Sequence, residues 1–137
     1  MPHLSHLLET SLYVGDLHQS RDFYQRVFGF PVMLEDERMI GLELPGSAVL
    51  LLFRRGGSVR PSTVPGGVIP PHDGGGTQHL CFAVPAASLV DWDRHLMLQG
   101  IVIEGRVIQT HGGTSLYFRD PDGHSVEVAT PGLWPNY

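Results

Sequence analysis

The chain has 137 residues, 42% hydrophobic and 17% charged, with a formal net charge of −5. That composition excludes a disordered chain, and 9 Lys+Arg without a basic run argue against nucleic acid or an anionic membrane as partner. A lone Cys81 excludes an internal disulfide, no apolar run approaches the ~18 residues that span a bilayer, and the N-terminus lacks a basic-then-apolar leader pattern, so a cytoplasmic protein is expected.

Leu7 to Val14 alternates as a strand, with Thr10, Leu12 and Val14 on one face and Glu9, Ser11 and Tyr13 on the other. Asp16 is placed to cap a helix that runs to Phe28, with Leu17, Tyr24, Val27 and Phe28 at helical spacing and Gly29 as its stop. Three strands are expected next, over Pro31–Leu34, Met39–Leu44 and Ala48–Phe53, with Pro45-Gly46 turning between the last two. Arg54 to Gln78 is rich in glycine and proline and reads as a linker; a block of that length is usually functional or disordered, and it can also fold over a pocket.

The same order then returns. His79 to Val84 is a strand with His79, Cys81 and Ala83 on one face, and Ala86 to Gln99 is a helix with Leu89, Trp92 and Leu96 on its apolar side, closed by Gly100. Ile101 to Ile108 supplies a strand. The run from Gly113 to Val128 is a hairpin about Asp120-Pro121-Asp122-Gly123. Glu9 to Gly29 spans 20 positions and His79 to Gly100 spans 21, so the chain is a tandem β-α-β-β-β repeat in which the turn glycines align Leu50 with Glu127. The expected fold is α+β: module one over about 7–53, linker 54–78, module two over about 79–130 and a tail 131–137, with two curved mixed sheets around a cleft.

Three side chains stand out on the faces away from the helices. Glu9 and His79 hold equivalent positions of the repeat, and Glu127 interrupts an otherwise apolar strand. Singly, each has a plain reading: His79 a satisfied core histidine, Glu127 at an edge or paired with Arg106 or Arg119, Glu9 solvated. Burying a carboxylate costs several kcal/mol unless it is paired or metal-bound. Together the three fit convergence on a divalent cation.

Leu8 to Leu17 with Ser20, Phe23-Tyr24 and Phe28-Gly29-Phe30 resembles the first module of the vicinal oxygen chelate superfamily, which includes glyoxalase I, bleomycin-resistance and fosfomycin-resistance proteins and extradiol dioxygenases. His79–Val84, Gly100-Ile101 and Leu116–Glu127 resemble the second module. The resemblance implies a metal-binding cleft, a homodimer, a small-molecule substrate and one divalent metal (Zn, Ni, Mn or Fe), with Glu9, His79 and Glu127 at three ligand positions. Leu50 falls where glyoxalase I carries a fourth ligand. Two carboxylates and one histidine depart from the two-His, one-carboxylate set of extradiol oxygenases. The activity expected is that of a glyoxalase-like lyase or isomerase in which Glu9 and Glu127 are also the catalytic groups. A dioxygenase, a thiol transferase and a metal-free drug-binding protein are the alternatives, the last with aromatic residues such as Trp134 lining its pocket. Tyr13, Tyr117 and Arg119 lie on the ligand-bearing faces and are expected to contact substrate. His72 is a candidate lid residue, and His124 is assigned to the hairpin turn.

Overall fold

A computed structural model describes all residues, 1–137. The chain divides into two compact units, Met1–Gly76 and Thr77–Tyr137. In the first, β1 (Glu9–Val14) leads to α1 (Leu17–Phe28), then β2 (Val32–Glu35), β3 (Met39–Leu44) and β4 (Ala48–Arg54). These strands form one sheet in the order β1-β4-β3-β2, with β1 parallel to β4 and the other pairs antiparallel. In the second unit β7 (His79–Ala83) leads through a 3-10 turn, Ala86–Ser88, to α2 (Leu89–Leu98), then β8 (Gly105–Ile108), β9 (Thr114–Arg119) and β10 (Ser125–Ala129). Its sheet order, β7-β10-β9-β8, is the same pattern, with β10 parallel to β7. The tandem β-α-β-β-β repeat expected from the sequence is therefore the observed topology.

Local chemistry explains the helix ends. The Asp16 carboxylate accepts from the Gln19 N–H at 2.9 Å, and Gly29 takes the left-handed conformation (φ 72°) that ends α1. The inner face of α1 buries Leu17, Phe23, Tyr24 and Val27, and α1 packs on β3 and β4, whose Ile40, Leu42, Leu50 and Leu52 are fully buried. Each such side chain contributes about 1.5–3 kcal/mol of burial. The helix expected from Ala86 begins as a 3-10 turn, and of its apolar side only Leu96 is fully buried, while Val90, Met97 and Leu98 are exposed. No helix is long and apolar enough to cross a membrane.

Two sequence expectations are corrected. The linker is not structureless: Ser62–Val64 (β5) and Gly67–Ile69 (β6) pair as a small antiparallel hairpin about Pro65-Gly66. The second correction concerns Leu50. In the first unit Glu9 pairs with Val49 and Ser11 with Leu51; in the second His79 pairs with Ser125 and Cys81 with Glu127. The counterpart of Glu127 is thus Leu51, and Leu50 lies on the opposite, helix-covered face. The turn glycines misalign the halves because three residues join β3 to β4 and five join β9 to β10. A slip of one residue reverses the face of every side chain in a strand. Leu51 is no more able to coordinate a metal than Leu50.

The β9–β10 turn is tied by one buried side chain. Asp120 Oδ1 accepts from the Asp122 N–H (3.0 Å) and the His124 N–H (2.9 Å), and Gly123 adopts φ 83°. His124 is fully buried, and its Nδ1 accepts from the Gln78 N–H at 2.9 Å, so it is structural. Asp120→Ala leaves two inward N–H groups unpaired and should lower unfolding free energy by about 1–3 kcal/mol, read from urea denaturation.

Candidate functional site

Glu127 sits mid-way along β10, which has β7 on one side and β9 on the other. Cys81 is its neighbour on β7 and Tyr117 its partner on β9. Alternation sends Val126 and Val128 into the core and Glu127 to the other face, where the residue is only 3% exposed. Its Oε2 lies 3.3 Å from His79 Nε2, and its Oε1 is buried with no hydrogen-bond partner. The arginines that might have neutralised it are engaged elsewhere. Arg106 makes a bidentate pair with Asp93, and Arg119 holds Glu104 at 2.9 Å and the Gly123 carbonyl at 3.1 Å. Arg119, expected to contact substrate, here pairs with Glu104 ahead of β8 and with the turn of its own hairpin.

The His79 ring is oriented by its other nitrogen. Nδ1 lies 3.0 Å from the Ser125 carbonyl, which can only accept, so Nδ1 carries the hydrogen. In the neutral ring this leaves the Nε2 lone pair facing a carboxylate oxygen. Two electron-rich atoms at that distance need a proton or a metal ion between them: an imidazolium Nε2–H donating to the carboxylate, or a bound cation. A metal-ligating histidine is set in the same way, its second nitrogen bound to a carbonyl.

The surrounding groups feel the same carboxylate. Partial burial, then the charge of Glu127 and a hydrogen bond to it, push the Cys81 thiol up to about 12. Burial also raises the Tyr117 hydroxyl, against hydrogen bonds from Ser115 and Gln109 that lower it, and the Glu127 charge raises it further. The Tyr117 ring stacks near His79, with centroids 6.3 Å apart. Gln109, whose amide donates to Ser115 Oγ (2.8 Å) and reaches the Tyr117 hydroxyl (3.5 Å), was not a sequence candidate: it lies just past β8, where no pattern marks it.

Glu9 and Tyr13 occupy the first unit, where both line a cleft of about 590 Å³ on the sheet face opposite α1. The linker covers part of it, as the sequence allowed. Ile69, Pro70 and His72 line the cleft; the His72 ring lies edge-on to Phe53 at 4.4 Å, and its Nδ1 is 2.7 Å from the Tyr13 hydroxyl. Gly74 lies so close to Tyr13 that a Cβ there would overlap the ring. Glu9 is exposed at the start of β1. No group of three or more His, Cys, Asp or Glu side chains disposed to hold a metal is gathered in the chain.

Tandem β-α-β-β-β units, each with a sheet of the same strand order, define a paired-module α+β protein. Residues 3–128 match the model of the Glyoxalase/Bleomycin resistance protein/Dioxygenase superfamily, and the chain belongs to it. Among solved structures, lactoylglutathione lyase from Agrobacterium tumefaciens is similar at 33% identity and TM-score 0.87, over 96% of this chain and 98% of that one. The metallothiol transferase FosB of Bacillus licheniformis is 29% identical over 128 residues, 93% of this chain and 74% of that protein. Biphenyl-2,3-diol 1,2-dioxygenase 3 of Rhodococcus globerulus is 33% identical over 130 residues, 93% of this chain but 62% of its own length.

At pH 8 a thiol titrating near 12 is only about one part in ten thousand thiolate. Cys81 in the chelator-treated protein should therefore react with iodoacetamide far more slowly than a free cysteine. Glu127→Gln, which removes the carboxylate charge but not the burial, should speed alkylation several-fold in a time course followed by mass spectrometry.

Proposed function

We propose that the chain is a divalent-metal-dependent enzyme, a glyoxalase-like lyase or isomerase acting on a small substrate that chelates through two neighbouring oxygens. His79 and Glu127 are proposed as metal ligands, with Glu9 as the third. The observation that carries this reading is the buried Glu127 carboxylate, with Oε1 orphaned and Oε2 3.3 Å from a histidine nitrogen whose ring is oriented from behind. One nitrogen and two carboxylate donors suit Zn, Ni, Mn or Fe. The similarity to a lactoylglutathione lyase along nearly the whole of both chains supports the reaction class.

Bound there, a divalent cation would polarise substrate oxygens as a Lewis acid. The chain's own residues supply the rest. Glu127 and His79 are fixed by burial and by the Ser125 carbonyl, so they hold position. Glu9, exposed and free of ion pairs, is the side chain able to move, and it is assigned the transfer of a proton to and from substrate. Glu127 is proposed as the second catalytic carboxylate, acting in place through its charge. Tyr117, kept protonated by its surroundings, donates a hydrogen bond to a developing oxyanion. Tyr13 is proposed as a substrate contact in the first-unit cleft. A homodimer is proposed as the working assembly, supported by the many apolar side chains a single chain exposes, among them Leu8, Leu98, Val102 and Ile108.

The test is metal retention. Purified protein stripped by chelation and offered Zn, Mn, Ni and Fe should hold one equivalent of at least one of them after desalting. His79→Ala and Glu127→Gln should each weaken retention by at least about a hundredfold. An unmodified protein that keeps none of the four ions sinks the proposal. With metal bound, turnover of a hemithioacetal supports the lyase assignment; turnover of a catechol, or of an epoxide with a thiol, replaces it.

A further inference from the structure

Arg38 precedes β3 and is half-buried, yet its guanidinium has no carboxylate or carbonyl partner. It lines the first-unit cleft together with Ser58, Arg60 and His72. Ser58 is only 3% exposed and its hydroxyl has no hydrogen-bond partner. Burying an unpaired hydroxyl costs about 1–3 kcal/mol, so its retention against a cleft wall points to a ligand atom.

These groups are gathered at one end of the cleft. The Arg38 carbonyl accepts from the Arg54 N–H, the Arg38 stem lies against Gly57, and the Ser58 carbonyl accepts from the His72 N–H at 2.9 Å. Met39, Phe53 and Tyr13 form one row across β3, β4 and β1, which brings the aromatic floor to the same end. When the Tyr13 hydroxyl donates to His72 Nδ1, His72 Nε2 is left as a further N–H donor. The cleft's only carboxylate, Glu9, stands four residues back along β1, about 13 Å away by strand rise. Around the polar cluster the walls are apolar, from Leu34, Met39, Leu51 and Ile69.

We propose that Arg38 and the Ser58 hydroxyl form an oxyanion-binding subsite, and that the substrate is an apolar or aromatic small molecule carrying a carboxylate or a similar oxyanion. The subsite needs no metal; it rests on the metalloenzyme reading only for what happens to the rest of the molecule. Arg38 supplies a charge-assisted bond, Ser58 its missing partner, and Phe53 with Tyr13 a flat apolar surface for the body of the anion.

The experiment is calorimetric titration of phenylacetate, and of its neutral isostere phenylacetamide, into chelator-treated protein. Saturable millimolar binding of phenylacetate alone is expected. Arg38→Gln should weaken it at least about tenfold, Arg38→Lys less, and Ser58→Ala about threefold, with circular dichroism unchanged. His79→Ala should bind phenylacetate as the unmodified protein does while losing metal, which separates this subsite from the metal reading. Absence of saturable binding, equal binding of the amide, or indifference to both Arg38→Gln and Ser58→Ala overturns the proposal.

Discussion

A carboxylate held at the centre of a sheet sets the terms for the second unit. Glu127 cannot swing to solvent, because β10 is flanked on both edges and its neighbours on either side are valines locked in the core. No arginine neutralises the charge, since Arg106 and Arg119 are spent on Asp93 and Glu104; His79 is the one basic side chain at its Oε2. Leaving a buried carboxylate oxygen without a partner costs several kcal/mol. The proposed cation would relieve that cost, and the neighbouring thiol and phenol, whose pKa values are both raised, add no competing charge.

The two units share a topology and divide the chemistry. Where the second carries Glu127, the first carries Leu51; where the second presents charge, the first presents shape. Its sheet face is a wall of Tyr13, Phe53 and Leu51 covered by a loop that the second unit does not have. The loop is anchored by specific contacts and not by composition. Gly74 permits close approach to Tyr13, and His72 packs edge-on against both Tyr13 and Phe53. A duplicated fold thus supports an asymmetric pair of surfaces, one suited to an ion and one to an organic body.

How much of this the sequence discloses depends on the range of the interaction. Strands, helices and the Asp120-Pro121-Asp122-Gly123 turn follow from period and local capping, which neighbours in sequence determine. The pairing of His79 with Glu127 follows from alternation once the repeat is seen. Register does not, because turn anchors count through loops of unequal length, and Leu50 was taken for Leu51 on that account. The β5–β6 hairpin had a signal, Ser-Thr-Val and Val-Ile on either side of Pro65-Gly66-Gly67, but strands of three residues fall below what alternation can separate from a loop. Arg38 and Ser58 had none. Twenty residues part them, and a surface-type arginine and a loop serine acquire meaning only when folding removes their partners and their water.

A metal-free binding protein would rest on the first unit. An aromatic cleft alone suits such a protein, and Tyr13, Phe53 and His72 would serve it well. Such a protein would draw nothing from the buried Glu127 of the second unit, whose Oε1 has no partner and whose Oε2 faces His79. Replacing Glu127 by an apolar residue would relieve that cost and leave the first-unit cleft untouched, since every residue lining the cleft lies before Asp73. Keeping the charge instead, with Arg106 and Arg119 spent on other partners, is the arrangement on which the proposed metal site rests.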